Sequence, residues 1–169
     1  MRRLLTLLYI MMSALSLPAQ RVQIMMAGNR ASMAPQQTQT EVKPGWRIVD
    51  IQLKSHTTRY LFGRHASQLT DGERPTFVIS PSEKETLVDY ALIRLVEKKT
   101  YRKLSAPLLR DNAYTRFEPA AFEIRPDGDD SFVCTPRQPL VRGEYILVNL
   151  AQEPQGELGD YSVYPFRVE

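Results

Sequence analysis

Cysteine is nearly absent: Cys134 is the one such residue in 169. A disulfide framework within one chain is therefore excluded, and stability must come from packing. Histidine is almost as scarce, with His56 and His65 the two examples. Two imidazoles and one thiol at these separations match no zinc-ligand spacing, so no metal is expected. No Gly-x-Ser-x-Gly elbow occurs, which removes one common setting for a nucleophilic serine. Charge of one sign is also lacking. The formal net charge is +3, and Arg2 and Arg3 contribute two of it. So small an excess gives no case for a nucleic-acid partner.

The first stretch, "MRRLLTLLYIMMSALSLPAQ", is present in an obvious sense. A short basic start precedes a predominantly apolar run from Leu4 to Leu17, and Pro18-Ala19 closes it with a small residue. This is the pattern of a secretory signal peptide over 1–19, with cleavage expected after Ala19. The run is shorter than the roughly 20 residues that span a bilayer as a helix. Export to the periplasm, the outer envelope or the extracellular space is expected, with no transmembrane span after cleavage.

Residues 20–45 are mostly polar, rich in Gln, Thr and Pro, and read as an N-terminal arm or linker. Val22–Met26 alone suggests a short strand within it. From Trp46 the pattern changes, and 46–169 reads as one domain. Val49, Ile51 and Leu53 alternate with polar neighbours, as in a half-buried strand. Further short apolar runs follow, separated by turns: "TRYLFG", "TFVIS", "FEPAAFEIRP", "SFVCT", "GEYILVNL" and "YSVYPFRV". Asp127-Gly128 is a hairpin signal. The segment 81–98 is ambiguous. Val88, Ala91, Leu92, Leu95 and Val96 form a helical stripe, and Ser80, Pro81 and Glu83 resemble a capped start. Ala91, Ile93 and Leu95 also alternate, and "EKKT" is a polar turn before "YRKL". The hairpin is the preferred reading and the helix within 81–98 the alternative. Many short strands between turns predict an all-β fold, an antiparallel immunoglobulin-like β-sandwich.

"LVRGEYILVNL" raises a specific question about Tyr145. In immunoglobulin-like sandwiches a tyrosine near the start of a late strand returns its hydroxyl to backbone a few residues upstream. Leu140 is placed to enter the core, Gly143 to allow a tight approach, and Tyr145 to form that corner. All three are read as structural. The runs "DYALIRLVEKKTYRKL", "TPRQPLVRGEYILVNL" and "VYPFRVE" resemble those of small secreted β-sandwich proteins of Gram-negative bacteria. The resemblance implies a sandwich and strands over Ser80–Leu104. It implies no activity.

Candidate chemistry is sparse. "DGDD" at Asp127–Asp130 lacks the closing glutamate of a calcium loop and reads as a solvated turn. Cys134, beside apolar neighbours, reads as a buried inert thiol. No catalytic residue is singled out and no cofactor is implied. The most suggestive surface stretch is "KSHTTRYLFGRH". Lys54, His56, Arg59, Tyr60, Arg64 and His65 interleave cations and aromatics with no acid between Asp50 and Asp71. Such a patch suits an anionic partner. The expected function is a non-catalytic module that binds an envelope or surface protein or an anionic glycan. A hydrolase, or an accessory subunit of one, with an acidic pair is the alternative, and a purely structural envelope protein the third reading.

Overall fold

The computed structural model describes residues 22–43, 47–48, 51–52, 56–70, 72–104, 114–152 and 161–169. Residues 1–19, where a signal peptide is expected, and Lys54 lie outside them, as do Val49 and Leu53 of the first alternating run.

Among the described residues fifteen strands follow one another: β1 Val22–Met26, β2 Asn29–Ser32, β3 Gln36–Gln37, β4 Gln39–Lys43, β5 Arg47–Ile48, β6 Ile51–Gln52, β7 His56–Phe62, β8 Phe77–Ile79, β9 Tyr90–Glu97, β10 Tyr101–Leu104, β11 Thr115–Arg116, β12 Phe122–Pro126, β13 Phe132–Pro136, β14 Gly143–Asn149 and β15 Ser162–Val168. One sheet has the order β12-β13-β8-β1-β2. The larger has the order β3-β15-β14-β9-β10-β7-β4, with β11 added to β9, and every ladder within the two sheets is antiparallel. The two edges of the larger sheet, β3 and β4, adjoin in the chain through Thr38, so this sheet curls into a near-barrel. Thr38 ties the seam: its amide donates to the Tyr161 carbonyl and its hydroxyl accepts from the Tyr161 amide, each at 2.8 Å. Strands β5 and β6 pair with each other as a separate two-stranded sheet.

The all-β expectation holds at the level of a sandwich-like class, two antiparallel sheets across an apolar core. Residues 22–43 correct the expectation of an arm. They supply β1 and β2 to the smaller sheet and both edges of the larger one, and Val22, Ile24 and Met33 are buried in the core. Polar composition misleads here because β2, β3 and β4 are edge strands, where one side of the chain faces water. Within 81–98, Tyr90–Glu97 is β9, the first strand of the β9–β10 hairpin, with Arg102 opposite Glu97. The helical alternative survives only as a single 3-10 turn, Leu87–Asp89. Its start is closed by Asp89, whose carboxylate accepts from the Thr86 amide at 2.7 Å.

Two apolar clusters explain why β14 lacks alternation. Tyr145 and Leu147 face the smaller sheet with Tyr90, Leu92, Phe77, Phe122 and Phe166. Ile146 and Val148 face the inside of the near-barrel with Leu61, Ile93, Leu95, Leu104 and Val163. A strand buried on both faces reads as a continuous apolar run. The smaller sheet covers β9 only in part: residues 90–93 are buried, whereas Arg94 and Val96 are exposed.

Candidate functional site

Period two sorts the hairpin side chains into two sets. On β7 and β10, Leu61, Arg102 and Leu104 are buried, while Phe62, Tyr60, Tyr101 and Lys103 lie on the opposite, outer face. The register places Tyr101 against Phe62 and Lys103 against Tyr60. The rings touch: Tyr60 lies 5.5 Å from Phe62, edge to face, and 5.5 Å from Tyr101, tilted. Phe62 is 57% exposed, a large apolar ring held in water. Val96 opposes Lys103 on the next strand, and Arg94 lies two residues along that same face. Exposed Lys98 and Lys99 form the turn that joins the two strands. This outer face is therefore aromatic at its centre, with Lys103 and Arg94 on one side of the rings and exposed Glu41, opposite Thr58, on the other.

Of the six residues singled out in the sequence, the four with described side chains, Arg59, Tyr60, Arg64 and His65, do not gather on one surface. Tyr60 belongs to the aromatic face. Arg59, one residue away, points to the other side and sits 5.5 Å from the Tyr161 ring. Gly63, with φ +85, turns the chain after Phe62. Beyond it Arg64 is exposed, and His65 turns toward Glu144. His56 lies within β7, but its side chain is outside the described set, as is Lys54. Tyr101, Lys103 and Arg94 escaped the sequence reading because they join Tyr60 only through strand pairing. Phe62 was in the quoted stretch, and its register partner Tyr101 was the usable signal.

Beneath this hairpin, at one end of the near-barrel, lies a buried ionic cluster. Glu144 is 0% exposed and Arg102 is 2% exposed. Glu144 Oε2 accepts from the Ala66 amide at 2.9 Å and from Arg102 Nη1 at 3.4 Å. Its Oε1 lies 3.1 Å from His65 Nδ1 and 4.0 Å from Arg167 Nε. Arg102 reaches further: Nε donates to the Gly63 carbonyl at 3.1 Å, and Nη2 to the Phe62 carbonyl at 3.0 Å and to Gln36 Oε1 at 3.2 Å. Burial pulls the Arg102 guanidinium below its ordinary value, and Glu144 pulls it back up. The sequence carried one hint. Glu144 alternates with Ile146 and Val148, which puts a carboxylate in a core register.

This cluster also brings two carboxylates to one imidazole. Glu97 Oε2 is 3.9 Å from His65 Nδ1, so His65 stands between two carboxylates. A cleft of about 410 Å³ opens beside them, lined by Glu97, Arg142, Gly143, Arg167, Val168 and Glu169. Glu144, however, has no surface in water, and both its oxygens are engaged. A general acid must reach the substrate proton, directly or through one water. Glu144 is placed as an anchor for cations, and no facing pair of free carboxylates is formed with it.

Other expectations resolve locally. Tyr145 donates its hydroxyl to the Val141 carbonyl at 2.6 Å, four residues upstream, and its ring stacks on Phe166 at 5.5 Å. Burial raises its pKa, opposed by Arg94 and by the bond to Val141. Gly143 has φ +148, and Leu140 packs against the inter-sheet core. Cys134 is buried in the same core, and desolvation pushes its thiol up to about 12. That state is a neutral thiol, unsuited to nucleophilic attack. Asp127 pairs with Arg30 at 2.8 Å at the mouth of the β12–β13 hairpin, where Gly128 has φ +77. Among the described residues no group of three or more His, Cys, Asp or Glu side chains is placed to hold a metal ion. No described helix is long and apolar enough to cross a membrane. Compared with protein-family models, with curated proteins and with solved structures, the chain shows no significant match.

Proposed function

We propose that the protein is an exported, non-catalytic interaction module that holds an anionic glycan on the outer face of β7, β10 and β9. One observation carries this reading: Phe62, Tyr60 and Tyr101 form a contacting, solvent-facing ring cluster on two paired strands, with Lys103 and Arg94 alongside. Exposed aromatics offer ring faces to sugar C–H groups, and the cations of Lys103 and Arg94 draw an anionic chain toward them. The signal-like segment 1–19 supports export to the periplasm, the outer envelope or beyond. The Tyr145–Val141 hydrogen bond supports an immunoglobulin-like relation of the sandwich and the resemblance to small secreted proteins of Gram-negative bacteria.

The test is titration calorimetry of the chain from Gln20 with sulfated dextran, polygalacturonate and neutral dextran. Binding of the two polyanions and not of neutral dextran is expected, weakened at least tenfold by Phe62→Ala and by Tyr101→Ala. Polyanion binding that survives both substitutions would defeat the proposed face. Failure to bind either polyanion, together with Phe62-dependent capture of one envelope protein, would replace the glycan by a protein partner.

A further inference from the structure

The buried ion pair and the exposed aromatic face share a connection that neither has alone. Arg102 is the buried residue between Tyr101 and Lys103, two members of that face. Its guanidinium donates to the carbonyls of both Phe62 and Gly63. Gln36 Nε2 adds a second, longer contact to the Phe62 carbonyl at 3.4 Å. From the other side the Gly63 amide donates to the Thr100 carbonyl at 3.2 Å. The backbone that carries the exposed Phe62 ring is thus fixed by groups from β10, the β9–β10 turn and β3.

Glu144 aims the guanidinium that does this. A buried arginine in a low-dielectric site needs an anion, and Glu144 is the carboxylate within reach of Arg102. The same carboxylate binds the Ala66 amide and lies against His65, so it also holds the loop that follows Gly63. Both sides of the Phe62–Gly63 turn therefore depend on one buried charge.

We propose that Glu144, acting through Arg102, is the positioning residue of the aromatic face: it fixes the Phe62–Gly63 backbone so that the Phe62 ring stays against Tyr60 and open to ligand. This rests on the glycan-binding reading for its functional consequence, but the positioning itself is measurable without any ligand. Preorganisation of this kind raises affinity by removing an ordering cost at binding.

Glu144→Gln keeps the shape of the side chain and removes its charge. In the full chain after signal removal, three measurements decide. Amide hydrogen exchange at Gly63 is expected to accelerate at least tenfold, with the amides of Ile146 and Val148 unchanged. Proton contacts between the Phe62 and Tyr60 rings are expected to weaken in nuclear magnetic resonance spectra. Affinity for sulfated dextran is expected to fall about tenfold, and the double variant Glu144→Gln/Phe62→Ala to bind no worse than Phe62→Ala alone. That non-additivity marks one shared device, whereas a purely structural role adds its loss to that of Phe62→Ala. If Glu144→Gln does not fold, Glu144→Asp, which keeps the charge and shortens its reach to Arg102 Nη1, is read by the same exchange and ring contacts. Unchanged Gly63 exchange and unchanged ring contacts in the folded variant would overturn the proposal. Should wild-type protein not bind sulfated dextran, the glycan reading fails and the exchange and ring contacts still decide the positioning.

Discussion

Tyr145→Phe removes one oxygen from a ring that is otherwise in place. The Tyr145–Phe166 stack needs no hydroxyl and should persist, so the change isolates the 2.6 Å bond to the Val141 carbonyl. A hydrogen bond of this kind contributes about 0.5–1.5 kcal/mol net, and a buried group left unpaired costs about 1–3 kcal/mol. The Val141 side chain is exposed, so water can approach its carbonyl once the tyrosine oxygen is gone. The low end of the range applies, and we expect a loss of about 1–1.5 kcal/mol. With a urea slope of about 1–3 kcal/mol per M, the midpoint should fall by roughly 0.3–1.5 M. Tyr60→Phe, on the outer face, serves as the control and should stay within about 0.5 kcal/mol. An unchanged midpoint for Tyr145→Phe would refute the idea that the hydroxyl pins the 140–143 segment.

A second arm uses pH. Burial raises the Tyr145 pKa above its ordinary value of 10.0, so the neutral phenol is favoured in the folded state. The unfolded chain then ionises first. The stability this difference contributes is present below pH 10 and is lost as pH rises through the folded value. Phenylalanine does not titrate. The stability gap between wild type and Tyr145→Phe should therefore narrow above pH 10, and a gap that widens there would contradict the assigned burial.

Gly143→Ala should lose about 1–2 kcal/mol in the same titration, because φ +148 strains any residue with a Cβ; the Arg94 guanidinium 3.3 Å from that position is flexible and can move. Glu144→Leu should lose about 3–5 kcal/mol by stranding the buried Arg102 charge, and Glu144→Leu/Arg102→Met should recover most of it by thermal melting. Cys134 should resist an aromatic disulfide reagent in the native protein and react once it is unfolded in urea. Because its folded value is about 12 against an ordinary 9.0, its contribution to stability should be lost between those values as pH rises, and Cys134→Val should lack that loss. If 1–19 is the signal peptide proposed, mass spectrometry of the protein recovered from cells should find the N-terminus between Leu17 and Arg21; an intact Met1 would rule out signal cleavage.

Legibility in the sequence followed burial. The strands with one wet face or a clear turn were readable: the β9–β10 hairpin from "EKKT", and the β12–β13 hairpin from Asp127-Gly128. β14 was readable as a strand, and its two faces divide as period two demands. The edge strands β2, β3 and β4 were not readable, because "NRAS", "QQ" and "QTEVK" carry little apolar pattern and owe their place to ladders formed with distant residues. The site was half legible for the same reason. Local sequence shows that cations and aromatics alternate near Tyr60, but not that Arg59 falls on the opposite face or that Tyr101 arrives from the next hairpin.

The position of the aromatic face follows from how the two sheets overlap. The smaller sheet covers β14, β15 and the first half of β9, which is why residues 90–93 are buried although they occupy both faces of the strand. Past Ile93 that cover ends, and Arg94 and Val96 emerge into water together with Tyr101, Lys103 and Phe62 on the adjoining strands. The other side of the same strands still needs closing, because Leu95 and Leu104 face the inside of the near-barrel. Glu97 and Arg102, next in register after Leu95 and Leu104, bring the first charges, and Glu144 and Arg167 do the same on β14 and β15. A barrel end filled by charges holds together only if the charges pair, so Glu144 draws Arg102 inward, and Arg102 in turn engages the carbonyls of Phe62 and Gly63. The ionic plug that closes the barrel and the clamp that sets the exposed ring are one set of bonds, so substitutions that loosen the plug should be felt at Phe62 before they are felt in the inter-sheet core.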